Sequence, residues 1–158
     1  MLEITGKSSI AGQWIAPEGP SFQSFNPYTK SRTYEFSSCG DEEIAQAARA
    51  AASAFQIYRN LGGKAIGRFI DTIADEIEAL GDQLLEVADS ETALGLVRLT
   101  GERGRTCAQL RAFAGLVTKD EWVQASIDTA IPDRAPVPKP DLRRMMKGVG
   151  PVAVFGAS

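Results

Sequence analysis

The chain has 158 residues, 44% of them hydrophobic, enough for one core of ordinary size or for one substantial piece of a larger protein. Its 17 basic and 20 acidic residues leave a net charge of -3, which excludes the strong basic field that holds nucleic acid or an anionic membrane. There is no histidine, and the two cysteines, Cys39 and Cys107, lie far apart with no CxxC spacing, so neither a zinc site nor a Ser/His or Cys/His nucleophile is expected.

The N-terminal residues carry no apolar segment of the kind that directs export, and nothing later reaches membrane-spanning length. The expectation is a soluble, cytoplasmic protein with reduced thiols. Residues 8–16 alternate as a short strand would, closed by the turn Pro17-Glu18-Gly19-Pro20. Residues 21–25 then lead into a second turn, Asn26-Pro27-Tyr28-Thr29-Lys30, and the alternation resumes from Thr33 to Phe36. These segments read as a surface hairpin or meander, with Trp14 and Phe25 as packing residues in it.

Asp41 is placed to cap a helix, with Glu42 and Glu43 in its first turn. Ile44, Ala45, Ala48, Ala51, Ala52 and Phe55 recur at helical steps and form a stripe of mostly small residues suited to close packing. Residues 60–63 break this pattern. A second helix then carries Ile66, Phe69, Ile70, Ile73, Ala74, Ile77 and Leu80 on one face. Gly81 interrupts it, and Leu84, Leu85 and Ala88 begin a shorter apolar face that runs into Asp89-Ser90-Glu91-Thr92. Those acids follow helical charge patterning and read as solvated.

A third helix is expected over 95–117, with Leu96, Leu99, Cys107, Leu110, Phe113, Ala114 and Val117 available for burial. Cys107 on that face reads as a small buried hydrophobe. The polar side gathers Arg98, Glu102, Arg103, Arg105 and Arg111 around Gly101 and Gly104, glycines that a helix would not choose for stability. Arginine's planar fork suits a carboxylate, so this stretch is a candidate anion site; ion pairing with Glu102 and neighbouring acids is the default for most of these arginines.

Residues 122–128 shorten to a period of two and predict a strand, four prolines between 132 and 140 predict an extended connection, and residues 143–147 hold a second short strand. The apolar run from Gly150 to Phe155 fits a buried strand of a parallel sheet that enters a glycine turn at 156. Such a strand needs neighbours, so the chain reads as a portion of a longer protein.

Gly12 and Trp14, the run Phe25-Asn26-Pro27-Tyr28-Thr29, Asp41 with Ala45, Ala48, Ala51 and Phe55, the pair Glu91-Thr92, the proline-rich connection and the entry Gly150-Pro151-Val152 occur in an order that resembles the N-terminal portion of the NAD(P)-dependent aldehyde dehydrogenases. Within that family, Glu91-Thr92-Ala93-Leu94, the stretch from Gly101 to Thr106 and the ending from Val154 to Ser158 are similar to 2,5-dioxovalerate (α-ketoglutarate semialdehyde) dehydrogenases.

The resemblance implies an α/β fold with an N-terminal hairpin, three main helices, bridging strands and the first strand of a Rossmann-like nucleotide domain. Residues 1–121 would form the hairpin and helical part, 122–147 the bridging strands through which a homodimer or homotetramer associates, and 148–158 the truncated start of the nucleotide domain. It implies oxidation of an aldehyde by a cysteine nucleophile and a glutamate base that lie later in the family's chain; neither Cys39 nor Cys107 matches that motif. It further implies that Phe155, Gly156, Ala157 and Ser158 lie along NAD or NADP, and that the third helix lines the substrate tunnel. Gly101 and Arg105, one helical turn apart, would face that tunnel, with Arg105 pairing with the distal carboxylate of the substrate. The alternative is a non-catalytic helical binding or assembly module.

Overall fold

The computed structural model describes residues 3–156. Its first elements are two separate hairpins. Strands β1 (Ser8–Ile10) and β2 (Gln13–Ile15) pair antiparallel around Ala11 and Gly12, whose φ of 53° and 77° give the left-handed turn that matches strand twist. The single strand expected over 8–16 is therefore a complete hairpin. In its register Ser9 faces Trp14 and Ile10 faces Gln13; alternation then sends Ile10 inward, where it is buried, and Trp14 to the opposite face.

Strands β3 (Ser21–Asn26) and β4 (Ser31–Ser37) form the second hairpin, with a bulge between Gln23 and Phe25. The Asn26 side-chain oxygen accepts the backbone N–H of Tyr28 (2.9 Å) and Thr29 (3.1 Å), which closes the turn. Phe22 and Phe36 face each other across the ladder and stack at 5.6 Å. Trp14 and Phe25, expected to pack, are instead 69% and 50% exposed.

Helix α1 spans Asp41–Tyr58. Its cap position is Gly40, whose N–H is taken by Glu43 Oε2 at 2.8 Å; Asp41, expected as the cap, is the first helical residue and complements the dipole instead. The alanine stripe of α1 stays largely on the surface, since no residue of this helix is buried. Helix α2 (Gly63–Ala79) ends at Gly81, whose φ of 60° separates it from α3 (Gly81–Thr92). The shorter apolar face after Gly81 is thus a helix in its own right, a fourth beside the three main ones. Helix α4 spans Leu96–Thr118, within one residue of the expected start and end.

Helices α2 and α4 pack antiparallel through small residues. Ala74, Cys107 and Ala114 are buried, as are Gly63 and Gly67. A Cβ at Gly63 would collide with the Val117 carbonyl, and one at Gly67 would meet Thr118 Oγ1 and the Ala114 carbonyl. The missing side chains set how closely the two axes approach.

After a short 3₁₀ turn, Glu121–Val123, strands β5 (Ser126–Asp128) and β6 (Leu142–Arg144) form a third antiparallel pair. The strand expected over 122–128 thus begins only at Ser126. Left-handed backbone at Asp120 and Gln124, with φ of 56° and 45°, curls the chain at Trp122 before it can extend. Ile131 and Lys139 bridge across the proline-rich connection, and the Met146 N–H returns to the Val123 carbonyl at 2.7 Å. Residues 151–156 carry no ladder, so the expected closing strand has no strand partner among the described residues. A parallel strand exists only through its neighbours, and Val152, Val154 and Phe155 are correspondingly 70%, 88% and 91% exposed. No helix among the described residues is long and apolar enough to cross a membrane.

Candidate functional site

Helix α4 organises its arginines in two ways. On the side toward α2, Arg111 gives Nη1 to Glu78 (2.8 Å) and Nη2 to Asp75 (2.8 Å), while Arg103 Nη1 donates to the Gly81 carbonyl at 2.7 Å. These two side chains fasten α4 to α2 and to the α2–α3 junction, so they are structural. Arg105 differs. Its partner is Glu102 on its own helix, and its side chain is 64% exposed.

The Arg105–Glu102 contact uses one edge of the guanidinium. Nε and Nη2 both donate to Glu102 Oε2, at 3.2 and 2.6 Å. These bonds and the guanidinium charge hold the Glu102 carboxyl below its ordinary value, with a smaller contribution from Arg98. In turn Glu102 raises the pKa of Arg105, so the guanidinium stays charged. Arg98, Glu102 and Arg105 sit at positions i, i+4 and i+7 and share one face of α4, carrying two positive charges and one negative. Beside them, a Cβ at Gly101 or Gly104 would meet nothing within 4 Å, so both glycines border open space.

The expected cofactor residues fall at the end of the described chain. Phe155 is 91% exposed, and the space where a Cβ on Gly156 would stand is open; Ala157 and Ser158 lie outside the described residues. Upstream, Gly148, Val149 and Gly150 line a cleft of 410 Å³ with Phe55 and Tyr58 of α1, Ile66 and Ile70 of α2, and Trp122, and neither Gly101 nor Arg105 is among its lining residues.

Several features escaped the sequence reading. The apolar cleft joins residues nearly a hundred positions apart, signalled only by the aromatic pair Phe55 and Tyr58 beside the break at Asn60 to Gly63. The acids of α3 are not simply solvated: Asp89 Oδ1 accepts the Tyr28 hydroxyl (3.2 Å) and the Gly95 N–H (2.8 Å), tying the second hairpin to the α3–α4 turn. Glu91 Oε1 is buried without a hydrogen-bond partner among the described residues. Cys107 is buried as expected, its thiol 3.7 Å from the Ala74 carbonyl.

The sequence pattern of the aldehyde dehydrogenase family matches residues 14–154. The chain is 48% identical, over its whole length, to an alpha-ketoglutaric semialdehyde dehydrogenase of Acinetobacter baylyi, and 41% identical over 99% of its length to alpha-ketoglutaric semialdehyde dehydrogenase 2 of Azospirillum brasilense. It spans about 30% of the length of each of these curated relatives. Among solved structures, a betaine aldehyde dehydrogenase from Staphylococcus aureus in complex with NAD+ superposes on 82% of this chain with a TM-score of 0.73 at 23% identity, over 26% of its own chain. A succinate-semialdehyde dehydrogenase from Burkholderia pseudomallei superposes on 80% with a TM-score of 0.71, also at 23% identity and over 26% of its own chain.

Proposed function

The chain belongs to the aldehyde dehydrogenase family, and from that premise we propose that it is the N-terminal part of an enzyme that oxidises α-ketoglutarate semialdehyde to α-ketoglutarate with NAD or NADP. The observation that carries the substrate choice is Arg105: an exposed, charged guanidinium on α4, one turn from the open space at Gly101. Support comes from the 48% identity to a relative that bears this activity in its name. Arg105 takes the distal carboxylate of the semialdehyde, and Gly101 leaves room for the substrate chain.

The nicotinamide cofactor, when bound, accepts the hydride. The contribution of this chain is to orient: Phe155 to Ser158 lie along the dinucleotide, and α4 sets where the carboxylate end of the substrate comes to rest. The catalytic cysteine and glutamate come from outside these residues, so this span holds substrate and cofactor without performing the chemical step itself.

In this reading residues 1–121 form the hairpin and helical part, 122–147 the bridging strands, and 148–158 the entry to the nucleotide domain of a cytoplasmic protein. The β5–β6 pair leaves Ile127 and Leu142 65% and 54% exposed, which suits a ribbon that associates in a homodimer or homotetramer.

The test is steady-state kinetics of the dehydrogenase that contains this sequence. Arg105→Ala raises KM for α-ketoglutarate semialdehyde by about tenfold or more, the loss of one charge-assisted contact, and changes KM for an uncharged aldehyde little. Equal effects on both substrates would refute the role of Arg105.

A further inference from the structure

An arginine whose charge is matched by a carboxylate 2.6 Å away is an unpromising anion receptor unless the pairing leaves donors free. Arginine has five N–H groups arranged along a side edge, shared by Nε and one terminal nitrogen, and an end edge shared by the two terminal nitrogens. Glu102 engages Arg105 through Nε and Nη2, both onto the single oxygen Oε2. That is the side edge. The end edge, with one N–H of Nη1 and the second of Nη2, has no partner among the described residues and remains open to a second carboxylate.

Two further facts fix what Glu102 does there. Because Glu102 and Arg105 are three residues apart on a helix, the pair holds a long and otherwise freely rotating side chain in one orientation along α4. And Arg98, on the same face one turn earlier, offsets the charge of Glu102, so the three side chains together still present a net positive charge.

We propose that Glu102 is a positioning residue for substrate recognition: it grips the side edge of Arg105 so that the end edge is presented, pre-oriented, to the carboxylate of a semialdehyde. The inference rests on the reading of Arg105 given above. It adds that Glu102, although its negative charge opposes an anionic substrate, increases affinity for one. Arg98 compensates for that charge rather than contacting the substrate.

The experiment compares Arg105→Ala, Glu102→Ala and Glu102→Gln in the complete dehydrogenase, with α-ketoglutarate semialdehyde and an uncharged aldehyde as substrates. Glu102→Ala raises KM for the acidic substrate about fivefold to tenfold, with kcat and the uncharged substrate changed by less than about twofold. Glu102→Gln, whose amide oxygen still accepts from Nε, retains much of the affinity. In the Arg105→Ala background, Glu102→Ala has no further effect on KM for the acidic substrate. An unchanged or lowered KM for the acidic substrate in Glu102→Ala overturns the inference, since Glu102 is then a bystander or a competitor. If Arg105→Ala is selective for the acidic substrate while Glu102→Ala is silent, only the positioning role fails. If Arg105→Ala affects both substrates alike, the underlying reading fails with it.

Discussion

The Cys107 thiol lies 3.7 Å from the Ala74 carbonyl oxygen, and the two residues are 1% and 0% exposed. This contact marks the middle of the α2–α4 pair. Toward one end Gly63 and Gly67 face Val117, Ala114 and Thr118; toward the other, Arg103 reaches the Gly81 carbonyl. The polar groups of α4 are thereby referred to a rigid partner helix.

Ala74→Leu places three extra carbon atoms where no space exists. Overpacking of this kind costs about 1–3 kcal/mol. Urea unfolding followed by circular dichroism should show a lower midpoint for this variant, with Cys107→Ala affected less because it removes a single small atom. A midpoint equal to that of the parent protein would mean that α2 and α4 are not in contact at this position.

The glycines of α2 and α4 should respond oppositely to the same substitution. At Gly63 a methyl group collides with the Val117 carbonyl, which is backbone and cannot turn aside, so Gly63→Ala destabilises. At Gly104 a methyl group meets nothing within 4 Å, and replacing glycine by alanine inside a helix stabilises by about 1 kcal/mol. Gly101→Ala should gain stability similarly, but with a raised KM for the semialdehyde where Gly104→Ala leaves KM alone. Thermal melts and kinetics of the three variants separate packing glycines from a site glycine.

Legibility in the sequence followed the range of the interactions. Helices α1, α2 and α4 were readable because their apolar periodicity and the breaks at Asn60 to Gly63 and at Gly81 are local. The hairpin at Ser8 to Ile15 was hidden because Ala11, not a residue that favours positive φ, occupies its turn. Trp122 lost its strand to the left-handed residues on either side, which no periodicity reveals. The segment after Gly150 shows the opposite limit: its residues favour a strand, but a strand also requires a partner. On α4 the cluster of charges was visible, yet which arginine binds α2 and which stays on the open face depends on the helix pairing. The family resemblance pointed to Arg105, but periodicity alone could not separate it from Arg103 and Arg111, whose partners Gly81, Asp75 and Glu78 lie on other elements.

The Arg111 cluster makes stability depend on pH in a definite direction. Glu78 accepts Arg111 through both oxygens, at 2.8 and 2.9 Å, and this hydrogen bonding is the main cause that holds its carboxyl below the ordinary value, against a smaller opposing effect of desolvation. The guanidinium of Arg111 is held charged at every accessible pH. A carboxyl whose folded pKa is depressed contributes its full stability above the unfolded value of about 4.3, and loses it as pH falls through the lower folded value. Glu102, depressed by Arg105, adds to the same slope. Unfolding midpoints should therefore hold steady above about pH 5 and decline below about pH 4. Glu78→Gln should make that decline shallower, and high salt should do the same because the pair is open to solvent. A Glu78→Gln variant with an undiminished acid slope would place the titrating carboxylates elsewhere and leave the Glu78–Arg111 pair without a part in the acid transition.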